Sequence, residues 1–250
     1  MGGSGGSSSS SDLGNGMQDG AGTSDERYET AFISRNDVPY ILITNGWGPG
    51  YQSHTISWLG TSFTVETMEG TAGSMGQPAT YPSVFCGKYS VMQVPECGLP
   101  AAIESLTSLK TGWRWTSNGN DDGEYNAAYD IWVGNGTQLQ GYLMVWLRDP
   151  ANYQPAGSKT SHLGVTVEGL PGVWDIWSGT VNGLPITNWV KAEGDEISEI
   201  EFDVLDVLKD AQMRGITYPG THINSVAVGF EIWEGPVAGL KSDDFYVKVE

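Results

Sequence analysis

Tyr125-Asn126-Ala127-Ala128-Tyr129-Asp130-Ile131-Trp132-Val133 divides cleanly into two surfaces. Successive side chains of an extended chain point to opposite faces. Asn126, Ala128, Asp130 and Trp132 then share one face, and the other face is aliphatic and aromatic core material. The first face holds a carboxylate among small and aromatic residues. A mid-strand carboxylate costs free energy unless it is paired or lines a wet cleft. A buried acid bonded to backbone or tyrosine fits the pattern as well as a cleft acid does. Either way the stretch predicts a strand with a core on one side.

Two further stretches repeat the pattern. In GYLMVWL (141–147), Tyr142, Met144 and Trp146 share a face. In VAVGFEIW (226–233), Gly229, Glu231 and Trp233 point one way, and Val228, Phe230 and Ile232 point the other. Working outward, PYILITNGW, SFTVETM, YPSVFCG, GWRWTS, LGVTVEG, VWDIWSG, ISEIEFDV and DFYVKVE also read as strands, separated by Gly, Pro, Asn and Asp clusters. About eleven strands suffice for two packed sheets in an all-β chain. LDVLKDAQMR (205–214), followed by Gly215, is the exception and predicts one short helix with a glycine stop.

Composition bounds the function. The chain has 250 residues, with 35 Gly, 10 Trp and 11 Tyr. Indole and phenol rings suit a cleft that takes flat, hydroxylated ligands, although any single one is more often core. The formal net charge of −18 argues against nucleic acid and an anionic membrane surface as partners. A neutral polysaccharide needs no charge complementarity. No His or Cys set has metal-ligand spacing, no cofactor motif is present, and no apolar run is long enough to span a bilayer. Cys86 and Cys97 allow one disulfide or two buried thiols. Met1 to about Ser24 is Gly/Ser-rich and predicts a flexible linker or tag, leaving 25–250 as one domain. His54, His162 and His222 show no partner pattern and read as surface or turn residues.

From about Tyr28 to Glu250 the chain resembles glycoside hydrolase family 12. The resemblance rests on ITNGWG, YPSVFCG, YNAAYDIW, YLMVWL, WDIWSG and VGFEIWEG, in that order. It implies a β-jelly roll sandwich of two curved antiparallel sheets with a concave substrate cleft. It also implies endo-acting, retaining hydrolysis of β-1,4-glucans: cellulose, mixed-linkage glucan or xyloglucan. A secreted, monomeric protein needing no metal or cofactor would follow, with β-glucan as its partner. By the resemblance, Glu231 falls on the general acid/base and Asp130 on the aspartate that supports the nucleophile. Asn45 and Trp47 fall on the non-reducing-side subsite and Met144 on a cleft methionine; Trp146 and Trp233 complete the expected substrate contacts.

One position departs from the family pattern. Retaining hydrolysis uses two carboxyl groups about 5–5.5 Å apart. The family's nucleophile is the Glu of an E-L-M-I-W strand, and here that strand reads Tyr142-Leu143-Met144-Val145-Trp146. The upstream acid on Asp130's face, Glu124, lies six residues away, roughly 20 Å along a strand, too far to substitute. Three readings stay open: a tyrosine nucleophile at Tyr142 with Asp130 as its base, a glucan binder that no longer cleaves, or an altered reaction with Asp130 as a base.

Overall fold

The computed structural model describes residues 11–192, 194 and 196–250. Two large sheets pack face to face. The first runs, from edge to edge, through Gln18–Asp19, Thr30–Arg35, Val38–Ile43, Ser83–Tyr89, His222–Gly229, Ala127–Gly134, Leu139–Arg148, Leu184–Lys191, Leu170–Val181 and Ser158–Lys159. The second runs through Glu199–Asp203, Leu109–Thr116, Leu240–Val249, Ser62–Gly70, Tyr51–Leu59 and Ala21–Ser24. Pairing is antiparallel except between Leu139–Arg148 and Leu184–Lys191. This is the all-β, two-sheet sandwich that the alternation predicts.

The core lies between the sheets. Tyr129, Ile131 and Val133 contribute to it from one side, and Trp113, Trp115 and Phe245 from the other. Phe230 sits at its centre, edge-on to Phe63, Trp115 and Tyr125. The alternation predicted this for Phe230, and it leaves Gly229 and Glu231 facing away from the core. Gly229 allows the close approach of the neighbouring strand, since a Cβ there would collide with the Pro82 carbonyl. The helix, Val204–Met213, packs Val204, Val207, Leu208 and Ala211 onto the core. Asp203 caps its N-terminus by accepting from the Leu205 amide at 2.9 Å, and Gly215 follows its end in the left-handed region. Asp210, buried in the helix, accepts from the Trp189 indole at 2.8 Å and is paired with Arg214.

Three features differ from the sequence reading. Residues 11–24, expected to be flexible, are built into the sandwich; Met1–Ser10 lie outside the described residues. Gln18–Asp19 and Ala21–Ser24 are strands, each adding to the edge of a different sheet. Backbone pairing and polar side chains hold them, so the scarcity of apolar residues did not matter. Gly14 N and Gln18 Nε2 donate to Asp244, which is buried with Arg35 in a two-pronged ion pair. His54 is buried, not a surface residue, with its ring nitrogens against Thr80 Oγ1 and the Glu26 carbonyl. Thr30–Arg35, Tyr51–Leu59 and Leu184–Lys191 are strands that the segment pattern missed. Arg148 pairs with Glu196 at 3.1 Å and lies over the Tyr125 ring. Of the two cysteine options, the disulfide is the one formed: Cys86 is bonded to Cys97.

Candidate active site

The outer face of the first sheet is concave and bears a cleft of about 890 Å³. Ala128, Met144, Trp146, Ile186, Val190 and Trp233 form an apolar floor separate from the main core. All eight residues singled out from the sequence line this one cleft: Asn45, Trp47, Asp130, Tyr142, Met144, Trp146, Glu231 and Trp233. The pleat brings Asp130, Tyr142, Met144 and Trp146 there, because each lies on the strand face opposite the inter-sheet core, while Asn45 and Trp47 reach the cleft from the loop between Val38–Ile43 and Tyr51–Leu59.

Asp130 sits mid-strand, paired across the ladder with Met144 on one side and Ala227 on the other. Its Oδ2 accepts from Trp132 Nε1 at 2.8 Å and from the Tyr89 hydroxyl at 3.2 Å. Tyr89 in turn stacks on Trp132 with centroids 3.9 Å apart. Oδ1 is buried and has no hydrogen-bond partner among the described residues. Burial raises the carboxyl to about 6 against the pull of those two donors.

Glu231 lies where His222–Gly229 gives way to Ile232–Glu234. Asn126 clamps it from the facing chain. The Asn126 Nδ2 donates to Glu231 Oε2 at 2.5 Å, and Asn126 Oδ1 accepts from the Glu231 amide at 2.9 Å. Burial, then the nearby Asp130 charge, lift the Glu231 carboxyl to about 7 against the Asn126 bond. A carboxylic acid that keeps its proton near neutrality can donate it to a leaving oxygen. Asp130 and Glu231 are the only carboxylates among the described residues lining the cleft.

Tyr142 stands beside them, its ring edge-on to Trp132 at 5.7 Å. Burial and the Asp130 charge push its phenol above the ordinary value, opposed by a hydrogen bond with Asn182. The hydroxyl therefore stays neutral at physiological pH. A neutral phenol is a poor nucleophile.

The walls are aromatic. Trp47, 42% exposed, projects from the loop after Val38–Ile43. Asn45 is left-handed, and Gly48 lets the loop press on Pro78, whose carbonyl a Cβ would strike. Trp233 donates its indole N–H to the Gly76 carbonyl at 2.7 Å and stacks flat on Tyr153 at 5.3 Å. It thereby ties the 75–78 loop to the 152–157 loop across the cleft mouth.

Sequence reasoning had not selected Asn126, Tyr89, Tyr153 or Asn188 as site residues. Asn126 shares the Asp130 face in the alternation, which was its available signal. Tyr89 follows Ser83, Phe85 and Gly87 at a spacing of two, so extending that strand would have brought it to the same face. Tyr153 lies in a loop, where no periodicity points to it. The described residues contain no cluster of His, Cys, Asp and Glu able to hold a metal ion.

Sandwich and cleft have counterparts among solved structures. The chain is similar to an endo-1,4-β-glucanase, CelB2, at 27% identity and TM-score 0.77, covering 91% of this chain and 99% of that one. It is equally similar to the endoglucanase Cel12A from Rhodothermus marinus, at 28% identity and TM-score 0.77, covering 92% and 99%. A xyloglucan-specific endo-β-1,4-glucanase A from Aspergillus niger is 24% identical over 153 residues, 59% of this chain. That match spans 61% of the relative's length. The family model of glycosyl hydrolase family 12 matches residues 38–250. The chain therefore belongs to glycosyl hydrolase family 12, and its two-sheet architecture is that family's β-jelly roll.

Proposed function

We propose that this protein binds β-1,4-glucan along the concave cleft and hydrolyses it internally, with Glu231 as the proton donor to the leaving oxygen. The observation that carries the reading is the meeting of two carboxyls, Glu231 and Asp130, in one aromatic-lined cleft, where burial raises Glu231 to about 7 and Asp130 to about 6. The family's endoglucanases and xyloglucanases supply the substrate class. Trp47 and Asn45 would hold the non-reducing side, while Met144, Trp146 and Trp233 pack the floor under the sugar rings. Asp130 would orient or activate the group that attacks the anomeric carbon. The disulfide suits an oxidising, extracellular compartment. A cleft carried by one chain needs no second copy, so the active form would be a monomer.

A second reading is favoured by a specific observation: the retaining nucleophile's strand position carries the neutral phenol of Tyr142. On this reading the protein holds glucan without cutting it. Incubation with xyloglucan, barley mixed-linkage glucan and carboxymethyl-cellulose, followed by measurement of reducing ends, separates the two. New reducing ends that vanish in Glu231→Gln support hydrolysis. Binding in affinity gels with no new reducing ends supports the second reading. Tyr142→Glu would then create activity if position 142 alone was lacking. Loss of an existing activity in Tyr142→Phe would assign the phenol the nucleophile's role. Neither binding nor cleavage on any of these glucans would sink both readings.

A further inference from the structure

Asn188 lies in Leu184–Lys191, between Leu139–Arg148 and Leu170–Val181, with Met144 and Trp177 as its cross-strand neighbours. It alternates with core-filling Trp189 and so shares the cleft face with Ile186 and Val190. It lines the cleft and is fully buried, yet both its amide oxygen and its amide nitrogen lack hydrogen-bond partners. The indole nitrogens of Trp177 and Trp146, on the same face, are unpartnered too. Buried amides are almost always bonded, because an unmade bond keeps the full cost of desolvation. The neighbouring cleft-face positions on this strand are Ile and Val, so packing alone called for no amide here.

Sheet order fixes the side of the cleft. Trp47 follows Val38–Ile43, three strands before the Ala127–Gly134 strand that carries Asp130. Asn188 lies two strands beyond Asp130 in the opposite direction, about 10 Å across the sheet. If Trp47 holds the non-reducing end of a glucan, Asn188 meets the reducing end. Vicinal sugar hydroxyls both donate and accept, so one glucosyl ring could satisfy the N–H and the C=O of the same amide. A charged ligand would gain nothing from a neutral amide, and an anion would be repelled by Asp130.

We propose that Asn188 is a specificity-determining residue that hydrogen-bonds the glucosyl ring on the reducing-end side of the scissile bond. The inference rests on the glucan reading above. It is tested on the whole chain by calorimetric titration with cellotetraose and cellohexaose, and by thermal melts, for wild type, Asn188→Ala and Asn188→Leu. Cellohexaose affinity is expected to fall about tenfold in both variants, the loss of a good hydrogen bond. The melting temperature should hold in Asn188→Ala and hold or rise in Asn188→Leu, because no protein partner is lost. Unchanged affinity in a folded Asn188→Ala overturns the proposal and leaves the glucan reading standing. Lowered melting temperatures or failure to fold in both variants assign the amide a structural role and also overturn it. A wild type that binds neither oligosaccharide overturns the glucan reading and this subsite together.

Discussion

Replacing Glu231 by Gln should make the protein more stable in mild alkali while abolishing any hydrolysis. The folded chain holds the Glu231 proton until about pH 7, whereas an ordinary glutamate releases it near 4.5. Between those values the folded state binds more protons than the unfolded one, so stability falls as pH rises. The loss is complete above about pH 7 and absent below about 4.5. The full difference corresponds to about 3 kcal/mol. Glu231 is partly open to the cleft, where water screens it, so about 2 kcal/mol is the better expectation. Glutamine still accepts from Asn126 through its amide oxygen, which preserves the clamp. The assay is thermal unfolding of both proteins from pH 4 to 8.5. Their curves should meet in acid and separate above neutrality, with the variant melting about 4–8 °C higher at pH 8. Coupling to Asp130 makes part of the remaining slope a property of the pair. A variant that melts lower than wild type at pH 8, or a gap independent of pH, would refute the account of Glu231 as a proton-retaining acid.

Asn126→Ala removes the bond that pulls the Glu231 carboxyl down, so the carboxyl should titrate above about 7 in a carboxyl-labelled NMR titration; an unchanged midpoint would deny the clamp. The same variant should lose about 1–3 kcal/mol of stability in denaturant melts, from the buried groups left unpaired. Trp47→Ala should weaken glucan binding about 30-fold, the cost of losing an aromatic anchor. With 42% of Trp47 exposed, its stability should stay within about 0.5 kcal/mol of wild type, so a large melting shift would argue for a packing role. The double change Cys86→Ser and Cys97→Ser opens a loop of separation 11 and should cost about 3 kcal/mol in chemical denaturation. Because Tyr89 lies within that loop and donates to Asp130, glucan binding should weaken as well, and unaltered binding would disconnect the loop from the site.

The candidate site was readable because alternation is a backbone property. Asp130, Met144 and Glu231 each stand opposite a core residue, and a period of two suffices to separate them from Tyr129, Val145 and Phe230. Elements failed where local chemistry and tertiary context disagree. Leu184–Lys191 contains Pro185 and Asn188, both turn signals, yet Trp189 anchors it in the core and two strands bracket it. Thr30–Arg35 escaped because its neighbour, residues 36–37, is a turn with two left-handed residues, Asn36 and Asp37, that breaks the apolar run. The clamp on Glu231 was hidden for a different reason. Asn126 and Glu231 are 105 positions apart, and only the meeting of two chain segments shows that one amide serves both the backbone and the carboxyl.

The short strands near the N-terminus bear on how the gene can be trimmed. Gln18–Asp19 covers the outer rim of one sheet, and Ala21–Ser24 covers the rim of the other. A version begun at residue 38, where the family match starts, would uncover both rims. It would also strand the Asp244 carboxylate inside the fold without Arg35. Rows of unpaired amides and carbonyls are templates for other chains. Such a version should precipitate or form fibres while keeping every residue of the cleft.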